Sequence, residues 1–151
     1  MSYEYEAWCL EKPNMASIAR VATLVMRTVL SADLEIVAEY DSGRSWNLYW
    51  GVEASATVIV MGPEFADVPG ENWIVSAEGG ARGMELHELL SIVIVAAAAV
   101  VHGGVVVDES GRLAARKNDP FGILLDLMRS GSASGEVLLQ VVRKGLLRDN
   151  G

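Results

Sequence analysis

The sequence predicts an α+β domain: an antiparallel-dominated sheet with two long helices on one face and a C-terminal helical tail. Three observations predict it. One long segment, Met15 to Leu30, repeats apolar residues at three- and four-residue spacing, as an amphipathic helix does, and a second, Leu89 to Val101, is apolar throughout but for Ser91, as a buried helix is. Between them run short alternating or β-branched segments split by Gly, Pro and Asp turns, as in hairpins. The 151 residues suit one domain, 1–151, with 119–148 as a helical extension.

Taken in order, Tyr3 to Leu10 is short and aromatic-rich, which suits a first strand. Asn14, after Pro13, is an N-cap for a helix from Met15 to about Leu30. Its apolar face is Ile18, Val21, Ala22, Val25, Met26 and Val29, and its polar face Ser17, Arg20, Thr23, Arg27 and Ser31. Leu34, Ile36, Ala38 and Tyr40 alternate with Glu35, Val37 and Glu39, which marks a half-buried strand. Asp41 to Arg44 is a turn into a second strand, Ser45 to Trp50, making a hairpin. Thr57 to Met61 is a further strand, Gly62 to Asn72 an exposed loop, and Trp73 to Ala77 a strand again.

Gly79 to Gly83 leads into the second long helix, Met84 to about Val101, which Gly103-Gly104 closes. Val105 to Val107 is a strand, Asp108 to Gly111 a turn, and Arg112 to Ala115 a returning arm. Asp119-Pro120 caps a helix to Met128, Ser130 to Gly135 is a small-residue linker, and Glu136 to Leu147 is a last helix. One concrete version of this order is a ferredoxin-like βαββαβ core with an extra hairpin.

Composition excludes several functions. The net charge of -8 argues against phosphate-backbone binding, so no nucleic-acid partner is expected. A single cysteine forms no internal disulfide and no thiolate zinc site, and two histidines leave little for a metal. The acidic start, Met1 to Glu6, lacks the basic and then apolar pattern of a signal peptide, so a cytoplasmic location is expected. The apolar run Leu89 to Val101 has 13 residues. As a helix it spans about 20 Å, short of the roughly 30 Å hydrocarbon core. It reads as a buried core helix, with no membrane partner.

Catalytic signatures are missing. His87-Glu88 suggests a metalloprotease helix, but the partner position 91 is serine and His102 lies fifteen residues on. His87 is then a polar residue in the helix's first turn, and His102 sits near its last turn, where an imidazolium would meet the favourable dipole end. The Ser130–Gly135 serines lack nucleophile-elbow spacing, and Cys9 reads as a buried strand residue. No enzyme activity and no cofactor are expected. A loop opening onto a helix can hold an anion, so Gly80, Arg82 and Gly83 form an alternative small-molecule or nucleotide site. A homodimeric structural module is a further alternative.

Charge is unevenly placed. Residues 1–110 carry a net -11 and residues 111–151 a net +3. Between Asp33 and Glu88, 11 acidic residues stand against Arg44 and Arg82 alone. Trp46 and Tyr49 lie on opposite faces of their strand, open to core packing or to an interface role. An acidic region beside aromatics can steer and then hold a basic partner, although a solvated acidic face would show the same charge. The candidate partner-binding residues are Glu39, Asp41, Trp46, Tyr49, Glu64, Phe65, Asp67 and Glu71.

The stretch from Leu89 through Gly103-Gly104 and Val105-Val106-Val107-Asp108 to Glu109-Ser110-Gly111-Arg112 resembles small bacterial immunity proteins of polymorphic, Rhs-type or type VI secreted toxin systems. It covers roughly residues 84–113, a fifth of the chain. The resemblance implies a non-catalytic inhibitor that binds a cognate protein toxin and blocks its active site or substrate entry; the acidic region adds the expectation that the toxin's active-site face is basic. No functional residue carries over, because toxin-facing surfaces differ between families.

Overall fold

Asn14 begins the first helix as its side chain requires: Oδ1 accepts from the Ser17 amide at 3.1 Å, satisfying one of the free N–H groups of the first turn. In this computed structural model, residues 4–64, 72–79, 85–107 and 119–130 are described. The elements are β1 (Glu4–Cys9), α1 (Met15–Leu30), β2 (Ile36–Ser42), β3 (Ser45–Trp50), β4 (Ala54–Met61), β5 (Trp73–Gly79), α2 (Glu85–His102), β6 (Gly104–Val107) and α3 (Pro120–Ser130). The class is α+β, with one open, antiparallel sheet of order β2-β3-β4-β5-β1-β6.

Register lines up the buried side of this sheet. Tyr5, Ala77, Val58 and Trp46 are successive cross-strand partners, as are Ala56, Leu48 and Ala38. All but Trp46 and Ala38 are buried, and those two are half-buried. Alternation then sends Glu39, Asn47, Thr57 and Glu78, also partners in register, to the other side.

α2 lies at the centre. Every residue from Leu89 to Ala99 is buried, because the helix packs on β1, β4, β5 and β6 while α1 and α3 also pack against it. A helix apolar on all sides is stable only where packing surrounds it. No described helix is long and apolar enough to cross a membrane. Gly79 permits the approach of the α2 first turn, since a Cβ there would lie 3.1 Å from the His87 backbone. Gly103, at φ +65, reverses the chain into β6.

Boundaries differ where tertiary contacts decide them. β2 begins at Ile36 rather than Leu34, because Arg27 Nε donates to the Leu34 carbonyl at 2.6 Å and holds that residue to α1. It continues past Tyr40 to Ser42 through a register shift, so the turn narrows to Gly43 and Arg44. β4 starts at Ala54, three residues earlier than its β-branched run, because pairing with Trp50 orders it. α3 runs to Ser130, with Asp119 Oδ1 accepting from the Gly122 amide at 3.0 Å. The expected arm 112–115, linker 130–135 and last helix 136–147 lie, save for Ser130, outside the described residues.

Candidate docking surface

Among the described residues, the acidic region centres on the β2–β3 hairpin. Glu39 and Asp41 are exposed on β2 and enter no ion pair among the described residues. Beside Glu39 on the face turned from the core stand Val37, 51% exposed, and its cross-strand partner Tyr49, half-buried. Thr57 and Ile59 of β4 continue the same face, Ile59 being 41% exposed. Toward β5 the face closes, since Ile74 and Ser76 are buried. What remains open is therefore a patch on β2, β3 and β4 that mixes carboxylates with Val37, Tyr49 and Ile59.

Trp46 is not part of this patch. It stands on the opposite face, half-buried against the core, and meets Tyr40 edge-on with ring centroids 5.2 Å apart. Tyr40 is 58% exposed, and its hydroxyl donates to the Gly43 carbonyl at 2.8 Å, tying the ring across the turn. The hairpin aromatics thus divide between two faces, as period-two alternation requires. Trp50, on the same side as Trp46, is wholly buried, and its Nε1–H has no partner among the described residues.

Glu64 is exposed, three residues beyond the end of β4. Register places it toward the same end of the sheet as Asp41, because Ser45 pairs with Ile59. Phe65, Asp67 and Glu71 lie outside the described residues, as do Gly80, Arg82 and Gly83 of the alternative anion loop. Val37 and Ile59 were missed as candidates. Their signal was present for Val37, which alternates in phase with Glu35 and Glu39, but an aliphatic residue reads first as core.

The two histidines are built into the scaffold. His87 Nδ1 lies 3.1 Å from the Ser55 amide and 3.0 Å from the Ser55 carbonyl, taking up the end of β4 where pairing with β5 has stopped. His102 closes the last turn of α2, as expected. It is buried, and its Nε2 accepts from the Asn14 amide at 2.9 Å. Its Nδ1 is 3.8 Å from Glu11. Cys9 is buried in β1, where burial pushes its thiol up to about 11. Among the described residues, no three His, Cys, Asp or Glu side chains gather as metal ligands do.

Compared with known proteins, the chain matches no family model, no curated protein and no solved structure.

Proposed function

We propose that this protein is a cytoplasmic immunity protein, which binds a cognate secreted toxin and neutralises it by covering its active site. The observation that carries the reading is the patch on β2, β3 and β4, where Glu39 and Asp41, exposed and without an ion pair among the described residues, border exposed Val37, Ile59 and half-buried Tyr49. Carboxylates on such a rim attract a basic face over a Debye length of roughly 8–10 Å. Aromatic and aliphatic contact then supplies the slow dissociation. The protein acts by occupancy and contributes no catalytic group. Trp46 serves as a prop for Tyr40 rather than as a contact.

The finer fold reading belongs to the same proposal. β1, α1, β4, β5, α2 and β6 form a ferredoxin-like core with both long helices on one face, and the β2–β3 hairpin is the insertion. Supporting it are the strand order β4-β5-β1-β6 and the packing of α1 against α2. On this reading the docking patch lies mainly on the inserted hairpin, which can vary without disturbing the core.

The test is to purify this protein with the product of its adjacent gene. A stable stoichiometric complex is expected, together with protection of cells expressing that product. Absence of both sinks the proposal.

A further inference from the structure

β2 is the last strand on its side of the sheet, and its outer edge faces a groove. The Ile36 amide donates to Thr23 Oγ1 of α1 at 3.0 Å, so it points away from β3. In an antiparallel pair, residues alternate between exchanging both backbone bonds with the partner and turning both groups outward. Val37 and Glu39 therefore bond to β3, while Ala38 and Tyr40 turn their N–H and C=O outward. The close contact of Tyr40 with Trp46 agrees, since side chains approach most nearly in the non-hydrogen-bonded pairs. Among the described residues, no backbone group pairs with Ala38 on that side.

Between this edge and α1 lies a groove of about 370 Å³, lined by the small Ala16, Ala19 and Ala38 and by the charged Arg20, Arg27 and Glu35, so that cations outnumber the single carboxylate. Three alanines leave the space open. Arg20 is exposed and makes no hydrogen bond or ion pair among the described residues. Ala38 lies on the core side of β2, in register with buried Leu48. A residue paired opposite Ala38 on an added strand would send its side chain to the same side, into the groove beside Arg20.

We propose that the outer edge of β2 accepts an extended strand from a partner protein, with an acidic side chain opposite Ala38 seated beside Arg20. Main-chain bonds supply affinity in such an addition, and the side-chain pocket supplies selectivity. Thr23, by capping Ile36, sets where the added strand stops. A second copy of this chain is a poor occupant: on the groove side its β2 offers Ile36, Ala38 and Tyr40, none of them an acid for Arg20, while on the other side it would set its Glu35 and Glu39 against those of the first copy. The inference deepens the docking reading and rests on it for the partner's identity, giving that partner a second contact beyond the face of Glu39 and Tyr49.

The experiment uses the full chain and short synthetic peptides of alternating threonine and valine with a central glutamate, glutamine or lysine. Amide spectra should show saturable shifts at Ala38 and Tyr40, and binding should rank glutamate over glutamine over lysine, with the extremes about tenfold apart. Arg20→Glu should reverse that ranking. Ala38→Pro should abolish binding while keeping the native melting temperature, because the lost N–H makes no ladder bond. Should that variant fail to fold, Arg20→Glu on the exposed helix face decides. Absence of saturable shifts, or a ranking unchanged in Arg20→Glu, overturns the proposal. So does self-association in sedimentation with the Ala38 amide already protected. None of these outcomes touches the toxin complex, which is tested with a different protein.

Discussion

His102 accepts the Asn14 backbone amide on Nε2 at 2.9 Å, and through it the end of α2 is joined to the start of α1. The same junction carries two backbone bonds, from Leu10 to the Gly103 carbonyl and from Glu11 to the His102 carbonyl, both 3.3 Å. Asn14 is thus acceptor by side chain for its own helix and donor by backbone to the other. His102→Leu should cost about 1–3 kcal/mol, the penalty of an amide left without its acceptor. His102→Gln, which keeps an acceptor, should recover part of that loss in urea denaturation.

A second tie of this kind joins α1 to the sheet edge. Thr23→Val preserves shape but leaves the Ile36 amide without its hydroxyl acceptor. Destabilisation of about 1–3 kcal/mol is expected, with faster hydrogen exchange at Ile36. Unchanged exchange at that amide would contradict the bond.

Adjacent glycines after α2 serve different needs. At Gly103 there is open space for a Cβ but the backbone sits at φ +65, so alanine should cost about 1–2 kcal/mol. At Gly104 a Cβ would collide with the Trp8 carbonyl in the neighbouring strand, where β1 and β6 pair. Backbone must move to admit it. Gly104→Ala should therefore be the more damaging of the two, which paired thermal melts would reveal.

Cys9 provides a pH prediction. Below pH 9.0 both folded and unfolded chains keep the thiol proton, and its contribution to stability is intact. Between 9.0 and about 11 the unfolded thiol ionises while the buried one does not, so stability falls as pH rises. The slope from this group approaches about 1.4 kcal/mol per pH unit. Cys9→Ala should lack this component when the two proteins are compared by denaturant titration. In the folded protein Cys9 should also resist alkylation near pH 8, reacting only after unfolding.

At the docking patch, Glu39→Lys with Asp41→Lys should slow association with a toxin about tenfold or more at low salt, and the gap should shrink as salt rises. Tyr49→Ala should act instead on dissociation. Stopped-flow association and competition dissociation separate the two, and a purely solubilising acidic face would show neither effect.

Among the described residues, the sequence alone determined the element order and the element types, because these rest on local signals: Asn14 and Asp119 as caps, apolar spacing from Ile18 to Val29, and glycine at the end of α2. It also located the acid-rich hairpin and set Trp46 and Tyr49 on opposite faces, since alternation is a property of one strand. Tertiary structure decided what needs two distant segments to meet. β1 lies between β5 and β6 through pairings across 64 to 101 residues, which no local pattern encodes. That His102 is an acceptor follows from where Asn14 comes to lie. Likewise, an ordinary strand became an open edge above a groove only because, among the described residues, no strand pairs beyond β2 and α1 leaves its alanines beside it. Local periodicity tells which side of a residue wants burial; the partner that provides it, or leaves it open, is chosen by long-range packing.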